Sequence, residues 1–121
     1  MWLLTPEGFF STTCKKDDPD TIQIRARREE HIKYLLERCE GQGGLRREIH
    51  KNVGTDYQYR VYVSKKVFAD WLKHIGETID YDNFKSKAEF SMQDKGVDNS
   101  DYEDLLHEIW HLGYNSLRED R

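Results

Sequence analysis

Hydrophobic and polar positions change period along this chain, and the changes mark its elements. Trp2 to Thr5 is an apolar run, Pro6-Glu7-Gly8 is a turn, and Phe9 to Cys14 carries Phe, Thr and Cys, so the opening reads as a β-hairpin. Lys15 to Asp20 is a polar turn. From Thr21 to Arg27 the alternation is clean: Ile22, Ile24 and Ala26 face one way, and Gln23, Arg25 and Arg27 face the other. Ile32, Leu35, Leu36 and Cys39 then recur at helical spacing, which predicts a helix from about Arg28 to Glu40, stopped by Gly41-Gln42-Gly43-Gly44.

The order then repeats. Leu45 to Asn52 is a predicted strand, Val53 to Asp56 a turn, and Tyr57 to Val63 a second strand. Tyr57, Tyr59, Val61 and Val63 share one of its faces, and Gln58, Arg60 and Tyr62 the other. Ser64 is placed to cap a helix carrying Val67, Phe68, Trp71, Leu72, Ile75 and Ile79. After Asp80 to Lys85, which reads as a turn or the start of a short helix, Ser91 to Asn99 reads as a mobile loop. Ser100-Asp101-Tyr102-Glu103 reads as a capping box. The helix behind it carries Tyr102, Leu105, Leu106, Ile109 and Leu112, with Trp110 as a further candidate for its apolar set, and ends near Gly113.

Two β-β-α units followed by a C-terminal helix predict an α+β fold: an antiparallel sheet of four or five strands, helices on one face, ferredoxin-like. At 121 residues the chain fits a single domain over 1–121. The apolar start is short, lacks a basic flank and meets Pro6, so it is not read as a leader; no run of apolar residues is long enough to span a bilayer.

Charge sharpens this picture. The net charge is -4, distributed as -1 over residues 1–40, +4 over 41–75 and -7 over 76–121. Acidity argues against indiscriminate coating of nucleic acid, while leaving room for a local basic patch. Cys14 and Cys39 have no metal or redox spacing and are read as small buried apolar residues in a reducing cytoplasm. There is no phosphate-binding glycine loop and no nucleophile elbow.

Three patterns could carry chemistry. His107-Glu108-Ile109-Trp110-His111 has the letters of a zinc-hydrolase helix, with two imidazoles on one face and a glutamate beside them. A catalytic zinc takes a third protein ligand, and only ten residues follow His111, so the preferred reading is a polar helix edge. Arg25, Arg27, Arg60 and Tyr62 share the polar sheet face, where arginines beside aromatics can hold phosphates and bases. Asp80-Tyr81-Asp82-Asn83-Phe84-Lys85 lacks the glycine and glutamate of a calcium loop. Asp82 and Asn83 are placed to cap a helix, and with Lys85 they could form a polar rim.

Several segments together, Thr5-Pro6-Glu7-Gly8-Phe9-Phe10-Ser11 with Trp2, Ile24-Arg25-Ala26-Arg27, Asp56-Tyr57-Gln58-Tyr59-Arg60, Ile79 to Lys85, and His107 with Trp110, resemble a family of small uncharacterised bacterial proteins. The resemblance spans nearly the whole chain. It implies a bacterial or phage, cytoplasmic, single-domain protein and supplies no catalytic residues. In that family the places of Glu108 and His111 are commonly filled by other residues.

The resulting expectation is a non-enzymatic binding module. Arg25, Arg27, Arg60 and Tyr62, with Asp82, Asn83 and Lys85, form its polar surface. It takes no cofactor. A protein partner or a second copy is expected, with a nucleotide or nucleic acid as the alternative partner, and no membrane. The rival from another class is a small metal-dependent enzyme acting on phosphate esters or nucleic acid through Asp80, Asp82 and His107. The zinc hydrolase of His107, Glu108 and His111 stands last.

Overall fold

A computed structural model of the chain describes residues 1–42, 47–54 and 56–118. They fall into two compact units, Met1–Asp80 and Tyr81–Arg121. The first contains β1 (Trp2–Thr5), β2 (Gly8–Thr13), β3 (Thr21–Ala26), α1 (Glu29–Arg38), β4 (His50–Lys51), β5 (Tyr59–Ser64) and α2 (Lys65–Glu77). All five strands pair antiparallel in one sheet of order β1-β2-β3-β5-β4. Because β3 and β4 each run antiparallel to β5, they are parallel to one another with β5 between them, and α1 connects them.

The alternation read from the sequence decides which face is buried. Phe10, Ile24, Ala26, Val61 and Val63 point to one side, where they pack with Ile32 and Leu35 of α1, Cys39 just behind it, and Trp71 of α2. Fully burying a side chain of this size contributes about 1.5–3 kcal/mol. Ser64 caps α2 as expected, its Oγ accepting from the Val67 N–H at 3.1 Å.

The β1–β2 turn is held from three sides. Thr5 Oγ1 accepts from the Glu7 and Gly8 amides at 3.1 and 3.2 Å. The Phe9 N–H donates to Nδ1 of buried His31 at 3.3 Å. Arg38, at the end of α1, pairs with the Glu7 carboxylate and donates to Thr78 Oγ1 at 2.7 Å. Gly8 has a φ of +154°, and a Cβ there would lie 2.2 Å from His31 Cγ, so glycine is required twice over.

Several expectations are corrected. The strand expected over Leu45–Asn52 is only β4, His50–Lys51, although Leu45 and Arg46 lie outside the described residues. The segment does not alternate, and Asn52 turns out of the strand at a φ of 58°. Tyr57 lies before β5 rather than in it. Cys39 is buried, and burial first, then the charge of Glu7, pushes its thiol up to about 11. Cys14 is exposed, its thiol ringed by the carbonyls of Lys15, Asp18 and Pro19.

The second unit is built from α3 (Phe84–Asp94) and α4 (Ser100–Ser116). Ala88 and Met92 of α3 and Tyr102 and Leu106 of α4 are the buried side chains of the two helices, and Asn99 between them is buried as well. Asn83 caps α3 by accepting from the Ser86 amide at 3.1 Å. The expected loop at Ser91–Asn99 is helical to Asp94 and turns at Gly96, which has a φ of +67°. The capping box does not form. Asn99, not Ser100, is the N-cap residue, and the Ser100 amide goes to Asp98 Oδ1 at 3.1 Å. Gly113 does not end α4, because its φ is not left-handed and the helix continues to Ser116. Among the described residues no helix is long and apolar enough to cross a membrane.

Candidate functional site

Register places the arginines. Trp2 lies opposite Ser11, Ser11 opposite Arg25, Arg25 opposite Arg60, and Arg60 opposite His50, so one row of side chains crosses all five strands on the face away from α1 and α2. Thr13, Gln23 and Tyr62 form a neighbouring row. Two like charges directly opposite on adjacent strands are unfavourable unless something compensates.

The compensation comes from neutral groups. Arg25 Nη2 donates to Ser11 Oγ at 2.8 Å, and its guanidinium lies 4.8 Å from the Tyr57 ring centroid. Arg60 donates through Nη1 to Gln23 Oε1 at 3.3 Å and through Nη2 to the Tyr57 carbonyl at 3.2 Å. Gly54 gives Arg60 its room, since a Cβ there would meet Nη2 at 2.8 Å. Arg25 and Arg60 are half-buried, and Nε of each is buried without a hydrogen-bond acceptor. Neither guanidinium has a carboxylate within ion-pair distance among the described residues. Arg27 differs. It is exposed, pairs with Asp56 at 2.9 Å, and covers the Tyr57 ring at 4.3 Å.

Tyr57 is therefore the hub, and strand periodicity assigns it to the wrong face. Once outside β5, it stacks on Phe9 with centroids 6.4 Å apart and planes 9° from parallel, and Phe9 meets Trp2 at 5.7 Å. Phe9 and Tyr57 are both buried, whereas Trp2 is 72% exposed. Tyr62 is half-buried and meets the His50 ring edge-on at 5.0 Å. The usable signal for Phe9 and Trp2 is parity with Ser11 along the opening hairpin.

The remaining candidates lie at the start of the second unit and along α4. A shallow groove of about 380 Å³ is lined by Asn83, Lys85, Ser86, Glu89, Glu103, Leu106 and His107. It brings Asn83, Lys85 and His107 together and leaves Asp82 outside. Asp80 belongs to the other unit. Glu89 and Glu103 are missed by the sequence reading, although Glu103 precedes His107 by one helical turn. Burial first, then the charges of Glu89, Asp104 and Asp98, holds the Glu103 carboxyl above the usual carboxylate range. Lys85 is turned to the Trp110 ring at 5.1 Å. His107 and His111 meet edge-on, with a hydrogen bond between their Nε2 atoms at 3.2 Å, while Glu108 is exposed. Among the described residues no three His, Cys, Asp or Glu side chains are grouped to hold one metal ion. No family model, curated protein or solved structure matches the chain.

Proposed function

We propose that this chain is a non-enzymatic interaction module whose arginine-bearing sheet face takes a carboxylate-rich segment of a protein partner. The observation that carries this reading is the cross-strand pair Arg25 and Arg60, held in place by neutral groups with no carboxylate on either among the described residues. Guanidinium groups match carboxylates in shape as well as charge, and their side chains are already ordered here, which lowers the entropy lost on binding.

A protein carboxylate fits better than a nucleic acid. Base stacking on such a sheet uses several free aromatic faces, and Phe9 and Tyr57 are buried against each other and the arginines, which leaves Trp2 as the exposed ring of that cluster. The scaffold belongs to the same reading. The order β2-β3-β5-β4 and the split β3-α1-β4 connection support a ferredoxin-like sheet entered one strand later, with β1 added at its edge. The bacterial or phage, cytoplasmic setting rests on the resemblance of the motifs.

The test is a titration of isotopically labelled protein with a tetraglutamate peptide and, separately, with oligothymidine, following the arginine and tyrosine side-chain signals. The peptide is expected to shift Arg25, Arg60 and Tyr57. The double variant Arg25→Gln and Arg60→Gln should weaken binding at least tenfold, since hydrogen bonds to charged groups contribute about 1.5–3 kcal/mol each. Unchanged affinity in a folded double variant would refute the proposal. Stronger binding of oligothymidine would transfer the face to nucleic acid.

A further inference from the structure

The distal half of α4 carries two features that the sheet face does not use. The first is the imidazole pair. His107 and His111 are one turn apart on the helix, both exposed, with their rings edge-on and their Nε2 atoms in a 3.2 Å hydrogen bond that a shared ion would replace. Two nitrogens bound at about 2.0–2.1 Å to one tetrahedral zinc ion lie roughly 3.3 Å apart. The pair therefore already has nearly the separation that a tetrahedral ion demands of two of its ligands. The second is apolar surface. Trp110, Tyr114 and Leu117 follow His107 at helical spacing and are 51%, 57% and 82% exposed. Trp110 stacks on Tyr114 at 5.5 Å and meets the edge of His111 at 5.1 Å, so this surface adjoins the imidazoles directly.

We infer that His107 and His111 are half of a zinc site, completed by the same two residues of a second copy of the chain. The chain offers two ligands here. No third His, Cys, Asp or Glu joins them among the described residues. A closed structural zinc site takes four. Twofold pairing of α4 with itself doubles two imidazoles to four and brings the exposed Trp110 and Tyr114 of each copy beside those of the other. An acidic or apolar peptide would cover the aromatics and leave the metal half-coordinated. A second copy satisfies both features at once. The ion is a divalent transition metal of borderline softness, for which neutral imidazole is the suited ligand. A site closed in this way keeps no open position for substrate, so its role is assembly rather than hydrolysis.

The experiment is native mass spectrometry, with sedimentation velocity alongside, of the full chain stripped with chelator and then titrated with zinc chloride. The expected result is a doubling of mass with one zinc per two chains, reversed by chelator. The single variants His107→Ala and His111→Ala should each abolish the doubling. Both side chains are exposed, so circular dichroism should show the fold unchanged. Trp110→Ala should weaken the assembly several-fold while leaving its stoichiometry intact. One zinc per chain without change of mass would overturn the inference. So would the absence of zinc uptake at micromolar concentrations, or doubling that survives in both histidine variants. None of these outcomes bears on Arg25 and Arg60, so the two proposals fail separately.

Discussion

At the scale of single residues, the strictest demand falls on Gly8. Its φ of +154° and the 2.2 Å separation between His31 Cγ and the position a Cβ would take act together. Gly8→Ala is expected to cost about 3 kcal/mol or more, from backbone strain and overpacking, read as a lower urea midpoint. Gly113 is the counterpart. It lies inside α4 with nothing within 4 Å of an added Cβ, so Gly113→Ala should stabilise the helix by about 0.5–1 kcal/mol. A fall in stability in that variant would contradict an unbroken α4. Two glycines that look alike in the sequence are thus predicted to respond with opposite signs.

At the scale of elements, legibility follows periodicity. β2, β3, α1 and α2 are readable because their apolar residues repeat with a period matching their structure, and Ser64 announces α2 through the chemistry of its cap. The second unit is less readable. α3 buries only Ala88 and Met92, too sparse a stripe to mark a helix, and its polar end has the composition of a loop. Gly113 imitates a stop, because a glycine ends a helix only when it adopts the left-handed conformation. The arginines of the face are visible from alternation. Their hub is not, because Tyr57 leaves the strand before the alternation begins.

α4 also carries a pH signature. The Glu103 carboxyl is held above its ordinary range, so the folded state penalises its charged form, and stability is lost as pH rises through the carboxylate range. Glu103→Gln should therefore stabilise the protein at neutral pH, and the gain should vanish below the carboxylate range, in urea titrations at the two pH values. Glu29 has the opposite sign. Hydrogen bonding to Lys51 first, with Lys33 adding its charge, holds its carboxyl low, so the stability it contributes is lost as pH falls.

At the scale of the whole molecule, the first unit is tied together through Arg38. That one guanidinium reaches the β1–β2 turn at Glu7 and the residue after α2 at Thr78. Removing it leaves a buried carboxylate whose Oε2 already has no hydrogen-bond donor. Arg38→Ala should cost about 3–5 kcal/mol by urea unfolding. The double variant with Glu7→Gln should recover part of that loss, because the buried charge is then gone. No recovery would mean that packing of the Arg38 stem, rather than the charge pair, is what matters.

The split connection between β3 and β4 has a consequence in time as well as in space. The β1–β2 hairpin joins neighbours in sequence and needs only the short turn around Gly8. The central pairing of β3 with β5 aligns Ile24 with Val61 and Ala26 with Tyr59, so α1 and everything up to Gln58 must be looped out first. Loop closure of that length is an entropic cost met before the core contacts reward it. The sheet therefore assembles from its margin inward, with the local hairpin early and the central seam late. Ile24→Ala and Val61→Ala, in that seam, are therefore expected to slow refolding in stopped-flow measurements more than Gly8→Ala, in the turn.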